Sequence, residues 1–227
     1  MINKLAIFVF VVLLCACKDS SAGAQTAASP DAMGGDDSYA FGMIFGSDFR
    51  QTGLQFDYDA FLQGFKDSIE GKDTRFSFED AMTKVQAAYG DAVSRKNDEY
   101  RQTEMLFLAD NSKKEGITVT GTGLQYEVIN EGTGPHPQAE DTVQVHYKGT
   151  LLDGTEFDSS YSRGEPTEFP LNQVIPGWTE GIQLMSVGST YRFYIPSDLA
   201  YGESGAGNII PPYSALIFEV ELLSVVE

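Results

Sequence analysis

Cysteine and histidine are scarce in this chain of 227 residues, which has two of each. No cysteine follows Cys17, so the body of the chain has neither a thiol nucleophile nor an intramolecular disulfide. His136 lies in a loop between Pro135 and Pro137, and His146 falls on the opposite parity to Val145 and Tyr147 of an alternating strand. Neither has a Gly-x-Ser-x-Gly elbow to serve, and no His-Glu-x-x-His pattern or Cys/His cluster points to a metal. The glycine-rich stretch 202–208 lacks the Lys-Ser/Thr ending of a phosphate-binding loop and opens no helix. Hydrolase, nucleotide and metalloenzyme chemistry are thereby set aside, and no cofactor is expected. Basic side chains are also few, 15 Lys and Arg against 33 Asp and Glu, a net charge of −18. Such a surface repels phosphate backbones, so nucleic acid is not an expected partner.

What is present begins with an export leader. Met1-Ile2-Asn3-Lys4 precedes an apolar run from Leu5 to Leu14 that is too short to span a hydrocarbon core of about 30 Å. Leu14-Cys15-Ala16-Cys17 resembles the bacterial lipobox, in which the cysteine after a small residue is acylated and becomes the mature N-terminus. Cys17 fits that role, which makes 1–17 a lipoprotein signal peptide. An ordinary secretory signal that contains cysteines is the alternative. Acyl chains at about 0.8 kcal/mol per buried CH₂ would hold the chain on a membrane. Residues 18–37, rich in Ser, Ala, Gly and Asp, read as a flexible tether. Lys18 in place of an aspartate after the cysteine leans toward the outer membrane of a bacterial envelope, with periplasmic or outward display left open.

From 38 to 115 the period is helical. Phe41, Ile44, Phe45 and Phe49 line one face, and a first helix ends near Thr52-Gly53. Asp57 or Asp59 caps a second helix carrying Phe61, Leu62, Phe65 and Ile69, which Gly71 stops. Ser77 with Asp80 resembles a capping box at the head of a third helix that runs toward Lys113-Lys114-Glu115-Gly116. At about 1.5 Å per residue this helix reaches on the order of 55 Å, and its polar stretch 94–102 reads as a solvent-exposed stalk. So many phenylalanines exceed what two short helices can bury alone. The pattern predicts a homodimer through residues 38–93; a compact subdomain folded on its own long helix is the alternative.

From 116 to 227 the period changes to two, in Leu124-Tyr126-Val128, Val143-Val145-Tyr147, Tyr191-Phe193-Ile195 and Leu216-Phe218-Val220-Leu222. Between these strands, 177–185 is amphipathic, with Trp178, Ile182 and Met185 on one side. The expected class is α+β, a single antiparallel sheet curled on one short helix, preceded by the all-α region. This part has three basic and 15 acidic side chains, a net of −12.

Several motifs in this part, in order, resemble the FKBP immunophilin family. Val143-Gln144-Val145-His146-Tyr147-Lys148-Gly149 is followed by Leu152-Asp153-Gly154-Thr155-Glu156-Phe157-Asp158-Ser159-Ser160. Then come Val174-Ile175-Pro176-Gly177-Trp178, Leu199-Ala200-Tyr201-Gly202, Ile209-Ile210-Pro211-Pro212 and Leu216-Ile217-Phe218-Glu219-Val220. The helical part is similar to the dimerisation and stalk region of the macrophage infectivity potentiator branch. The resemblance implies an FKBP-like half-barrel and peptidyl-prolyl cis-trans isomerase activity without nucleophile, metal or cofactor.

It also implies site roles. Trp178 floors a pocket walled by Tyr147, Phe157, Val174, Ile175 and Phe218, the Ile175 N–H and the Tyr201 hydroxyl bind substrate carbonyls, and Asp158 orients the reacting amide. Isomerisation moves no proton, so Asp158 acts as an electrostatic positioner; an ion pair with Arg163 is its other, compatible role. Ile209 and Ile210 form a mobile flank. Thr167 and Ala206 stand where single-domain members often carry an aromatic residue and a histidine. Thr167 makes its wall smaller and more polar, which works against rapamycin-type macrolides more than against proline-containing polypeptides. Glu165 and Glu168 disfavour acidic peptides. The competing function is a binding module or chaperone that holds proline peptides or unfolded chains with little catalysis.

Overall fold

A computed structural model of the chain describes residues 33–50 and 52–226. The signal peptide, Cys17 and most of the tether lie outside the described residues. Two units divide between Ser47 and Asp48.

Helix α1 (Gly35–Arg50) starts inside the stretch read as tether, with Asp36 and Asp37 in its first turn, where carboxylates suit the partial positive charge of a helix N-terminus. The helix therefore begins three residues ahead of the expected start at 38. In the first unit the Phe41 and Phe45 rings stack at 6.1 Å while remaining about half exposed.

In the second unit, Asp57 caps α2 (Tyr58–Ile69) by accepting from the Ala60 N–H at 3.0 Å, which decides between the two candidate caps. Gly71 (φ 65°) turns the chain after it. Helix α3 (Phe78–Asn111) is capped by Ser77, whose hydroxyl accepts from the Asp80 N–H and donates to the Asp80 carboxylate. The shorter Asp thus returns to the cap's hydroxyl, where a Glu would reach the cap's backbone N–H. Its 34 residues span about 51 Å. Helix α2 buries none of its side chains; Phe61, Leu62, Phe65 and Ile69 are all exposed, as are Phe78, Val85 and Tyr89 of α3.

The seven-stranded sheet is antiparallel and ordered β1-β2-β6-β7-β3-β4, with β5 also on β3. The strands are β1 (Ile117–Val119), β2 (Gln125–Asn130), β3 (Thr142–Thr150), β4 (Glu156–Ser159), β5 (Thr167–Pro170), β6 (Thr190–Ile195) and β7 (Leu216–Val226), with the single-turn α4 (Ser160–Arg163) between β4 and β5. One edge of β3 is shared, β5 pairing with residues 142–145 and β4 with 148–150. The chain between β4 and β5 therefore opens beside the middle of β3, at Tyr147. Helix α5 (Pro176–Gln183) lies on the inner face with Pro176 at its first position, where the missing N–H costs nothing. Glycines let it approach: a Cβ on Gly177 would stand 2.4 Å from Ile195 Cγ2, and one on Gly181 2.7 Å from the Phe193 ring. Trp178, Ile182 and Met185 join Val143, Val145, Phe193, Leu216 and Val220 in the core. The α+β half-barrel wrapped on a short helix, preceded by helices, is the architecture anticipated above.

Helix α3 reaches the sheet domain at its C-terminal end. Its last turns bear on the sheet domain: Glu104 accepts from the Ser197 N–H and hydroxyl at 2.5 and 2.9 Å, and Asn111 and the Leu108 carbonyl engage Gln125. Most of these contacts are polar, joined by the Phe107 ring at 6.0 Å from that of Tyr194 in β6.

Candidate active site

A cavity of about 680 Å³ opens between α5, the shared edge of β3 and the segment after β6. Ten of the eleven pocket residues expected from the sequence line it: Tyr147, Phe157, Asp158, Val174, Ile175, Trp178, Tyr201, Ile209, Ile210 and Phe218. Arg163, the eleventh, stands behind the wall and reaches the cavity through Asp158 and Tyr147. Thr167 and Ala206 are also in the lining, with Phe169 and Gln173, which the sequence reading missed. Phe169 could have been found: it shares parity with Thr167 and pairs with Val143, so it points to the same face.

Aromatic packing makes the floor rigid. The Trp178 ring meets Tyr147 edge-on at 4.9 Å, Phe218 edge-on at 4.9 Å and Phe169 at 5.1 Å, and Phe157 meets Phe218 edge-on at 5.4 Å. Edge-to-face contacts at such distances are favourable and hold rings at fixed angles. Gly149 allows this packing, since a Cβ there would stand 2.7 Å from both Phe157 and Phe218. The Trp178 indole N–H is buried without a hydrogen-bond partner among the described residues.

One wall is polar. Asp158 Oδ2 accepts from the Tyr147 hydroxyl and Oδ1 from Arg163 Nη1, both at 2.5 Å. Arg163 Nη2 donates to the Tyr147 hydroxyl at 2.8 Å and to Thr167 Oγ1 at 3.0 Å. Partial burial works against the charge of Asp158, but the hydrogen bonds from Tyr147 and Arg163 and the guanidinium's charge together outweigh it and hold the carboxyl below its usual range. Burial, reinforced by Asp158, pushes the Tyr147 hydroxyl up. At neutral pH Asp158 is therefore a carboxylate and Tyr147 keeps its proton, and Asp158 is paired with Arg163 while lining the cavity. Behind this wall the buried Ser160 hydroxyl accepts from the Tyr147 N–H at 2.8 Å and meets His146 Nδ1 at 2.9 Å, so the histidine supports a strand rather than facing the cavity.

The opposite wall offers unused polar groups. The Ile175 carbonyl caps α5 by accepting from the Trp178 and Thr179 N–H groups, while its own N–H has no partner among the described residues. The Tyr201 hydroxyl, on a side chain 41% exposed at the rim, likewise has none. The cavity thus combines an apolar floor, two free donors and a fixed anion.

Comparison with known proteins accounts for both parts of the chain. Residues 134–223 match the family described as FKBP-type peptidyl-prolyl cis-trans isomerase, and residues 36–128 match the domain described as amino terminal to that isomerase. The FKBP-type isomerase FkpA of Aeromonas hydrophila is 46% identical over 201 residues, covering 82% of this chain and 74% of that protein. The FKBP-type 22 kDa isomerase of Escherichia coli K12 is 45% identical, covering 83% and 93%, and the Legionella longbeachae outer membrane protein MIP is 40% identical, covering 83% and 84%. The crystal structure of FkpA from Escherichia coli superposes with a TM-score of 0.69 at 35% identity, over 85% of this chain and 97% of that one. The chain belongs to the FKBP-type peptidyl-prolyl cis-trans isomerase family, in the branch it shares with FkpA and Mip proteins.

Proposed function

We propose that this protein is a peptidyl-prolyl cis-trans isomerase that assists the folding of exported proteins in a bacterial cell envelope. The observation that carries the reading is the aromatic cavity over Trp178, bordered by the free Ile175 N–H and the Asp158 carboxylate. Rotation about an X-Pro amide faces a barrier of about 18–20 kcal/mol because resonance keeps it planar. At the twisted midpoint that resonance is lost and the amide is less polar. An apolar floor stabilises the twisted form relative to the planar one, and only such differential binding raises the rate. The proline ring lies on Trp178 between Tyr147, Phe157, Val174 and Phe218. The Ile175 N–H and the Tyr201 hydroxyl hold substrate carbonyls and leave the amide nitrogen free to pyramidalise. Asp158, fixed by Tyr147 and Arg163, faces the reacting amide as an oriented charge and transfers no proton.

The finer assignments rest on the sequence and the exposed helix faces. The unburied apolar sides of α1, α2 and the start of α3 support a homodimer through residues 38–93, since single chains rarely leave so much aromatic surface in water. The lipobox at Cys17 supports an acyl anchor, and a relative named an outer membrane protein supports placing it there. Family and cavity together favour catalysis over the binding-module alternative.

Phe157→Ala and Asp158→Ala test the site directly. Each is expected to reduce kcat/KM for a short X-Pro peptide at least tenfold, or about 1.4 kcal/mol of transition-state stabilisation. Turnover equal to the unaltered chain's in both would overturn the assignment.

A further inference from the structure

The segment from Ser197 to Tyr213 supplies one side of the cavity through Tyr201, Ala206, Ile209 and Ile210. By composition it should be loose. Gly202, Gly205 and Gly207 have φ of 57°, 60° and 55°, and Ile209 is 59% exposed. Its two ends, however, are both held by α3. At one end Glu104 accepts from the Ser197 N–H and hydroxyl. At the other, one helical turn nearer the dimerisation region, Arg101 Nη2 donates to the Tyr213 hydroxyl at 2.5 Å, and the guanidinium lies 3.9 Å from the centre of the Tyr213 ring.

Tyr213 is the joint in this arrangement. It is the one non-glycine residue with positive φ among those described, at 53°, a conformation disfavoured for a bulky side chain unless its surroundings impose it. Its N–H donates to the Gly202 carbonyl at 2.9 Å, next to Tyr201, and its hydroxyl, accepting from Arg101, donates to Glu203 at 3.2 Å. A chain of contacts therefore runs from Arg101 through Tyr213 to Gly202 and Glu203, the neighbours of a cavity residue. Arg101 lies in the polar stretch whose charges would otherwise read as a solvated helix face.

We propose that α3 is part of the substrate site's support, with Arg101 a positioning residue that holds the 201–210 wall against the cavity through Tyr213. The proposal rests on the isomerase reading of the cavity. Arg101 does not reach the substrate. Its loss leaves the Trp178 floor and the Asp158 wall in place and loosens the flank.

The test uses the full-length chain with Arg101→Ala, Arg101→Lys, Tyr213→Phe and the double variant Arg101→Ala/Tyr213→Phe. Two measurements are made, X-Pro isomerisation kinetics and amide hydrogen exchange. Arg101→Ala is expected to lower kcat/KM about threefold to tenfold, mainly through KM, because a wall that grips ground state and transition state alike affects KM when it loosens. Exchange across 201–210 should rise while that of β3 and β7 stays fixed. Arg101→Lys keeps a cation over the ring and should recover part of the loss. The double variant should lose less than the sum of the two single losses, since both singles remove the Arg101–Tyr213 hydrogen bond while only Tyr213→Phe also removes the bond to Glu203. Unchanged kcat/KM, unchanged exchange at 201–210, or losses that simply add in the double variant would each overturn the proposal. If the unaltered chain shows no isomerisation, the isomerase reading fails by itself, and the exchange comparison alone decides whether Arg101 holds the wall.

Discussion

Replacing Gly177 by alanine adds one methyl group where the structure has no room for it. The new Cβ would stand 2.4 Å from Ile195 Cγ2, 3.2 Å from Cδ1 and 3.3 Å from Cγ1. Carbon contacts settle near 3.5–4.0 Å, so helix and strand must separate by about 1 Å. Ile195 cannot yield easily: it is fully buried in β6 and paired with Leu216 of β7. Overpacking of this kind costs about 1–3 kcal/mol, and alanine's helix propensity returns at most about 1 kcal/mol near a helix start. The net loss is about 1–2 kcal/mol, or about 4–8 °C in Tm for a domain of this size. Trp178 is the next residue and the single tryptophan of the chain, so its fluorescence reports unfolding without interference. Because displaced α5 carries the cavity floor with it, kcat/KM should fall even where the protein is fully folded. Gly121→Ala is the control, since a Cβ there meets nothing within 4 Å and should change stability by less than about 0.5 kcal/mol. Equal unfolding midpoints for Gly177→Ala and the unaltered chain would refute the claim that glycine sets how closely α5 sits on the sheet.

Asp158 gives a prediction in pH. Its native carboxyl titrates below the unfolded one, so its contribution to stability is complete above the ordinary carboxylate range, near 4, and disappears as pH falls through the depressed native value. The stability difference between the unaltered chain and Asp158→Asn should be constant from pH 6 to 8 and shrink in acid, as followed by urea unfolding; growth of the difference in acid would contradict this. Over the same neutral range kcat/KM should be flat, because Tyr147 keeps its proton and Asp158 its charge. Phe65→Glu, at a side chain half exposed in the single chain, should convert a dimer to a monomer in sedimentation without lowering kcat/KM on a short peptide; an unaltered dimer would remove Phe65 from the proposed interface.

Much of the catalytic domain was legible because its long strands alternate strictly. Val143, Val145 and Tyr147 announced β3, and Leu216 to Leu222 announced β7, as a half-buried antiparallel strand requires. The motif order then placed ten residues in the cavity. Short elements were not legible: β4 and β5 have four residues each and share one edge of β3, too little chain for a period to emerge. Phe169 and Gln173 went unnoticed with them. The docking of α3 was hidden for a different reason. Arg101, Glu104 and Asn111 hold the sheet domain by hydrogen bonds and Phe107 adds a single ring against Tyr194, a set that leaves no hydrophobic stripe. The start of α1 was misplaced because Gly35, Asp36 and Asp37 look like linker, although carboxylates in a first turn also favour a helix.

The central claim is that the Trp178 cavity twists an X-Pro amide, and the most direct measurement is the cis-to-trans rate of a short X-Pro peptide with the protein present, with and without rapamycin. Acceleration of the uncatalysed rate is the predicted result, and the degree to which the drug suppresses it measures how far the smaller, more polar wall at Thr167 admits a macrolide. A well-folded protein that leaves the uncatalysed rate unchanged would contradict the account, and the cavity would then be a binding site for proline peptides.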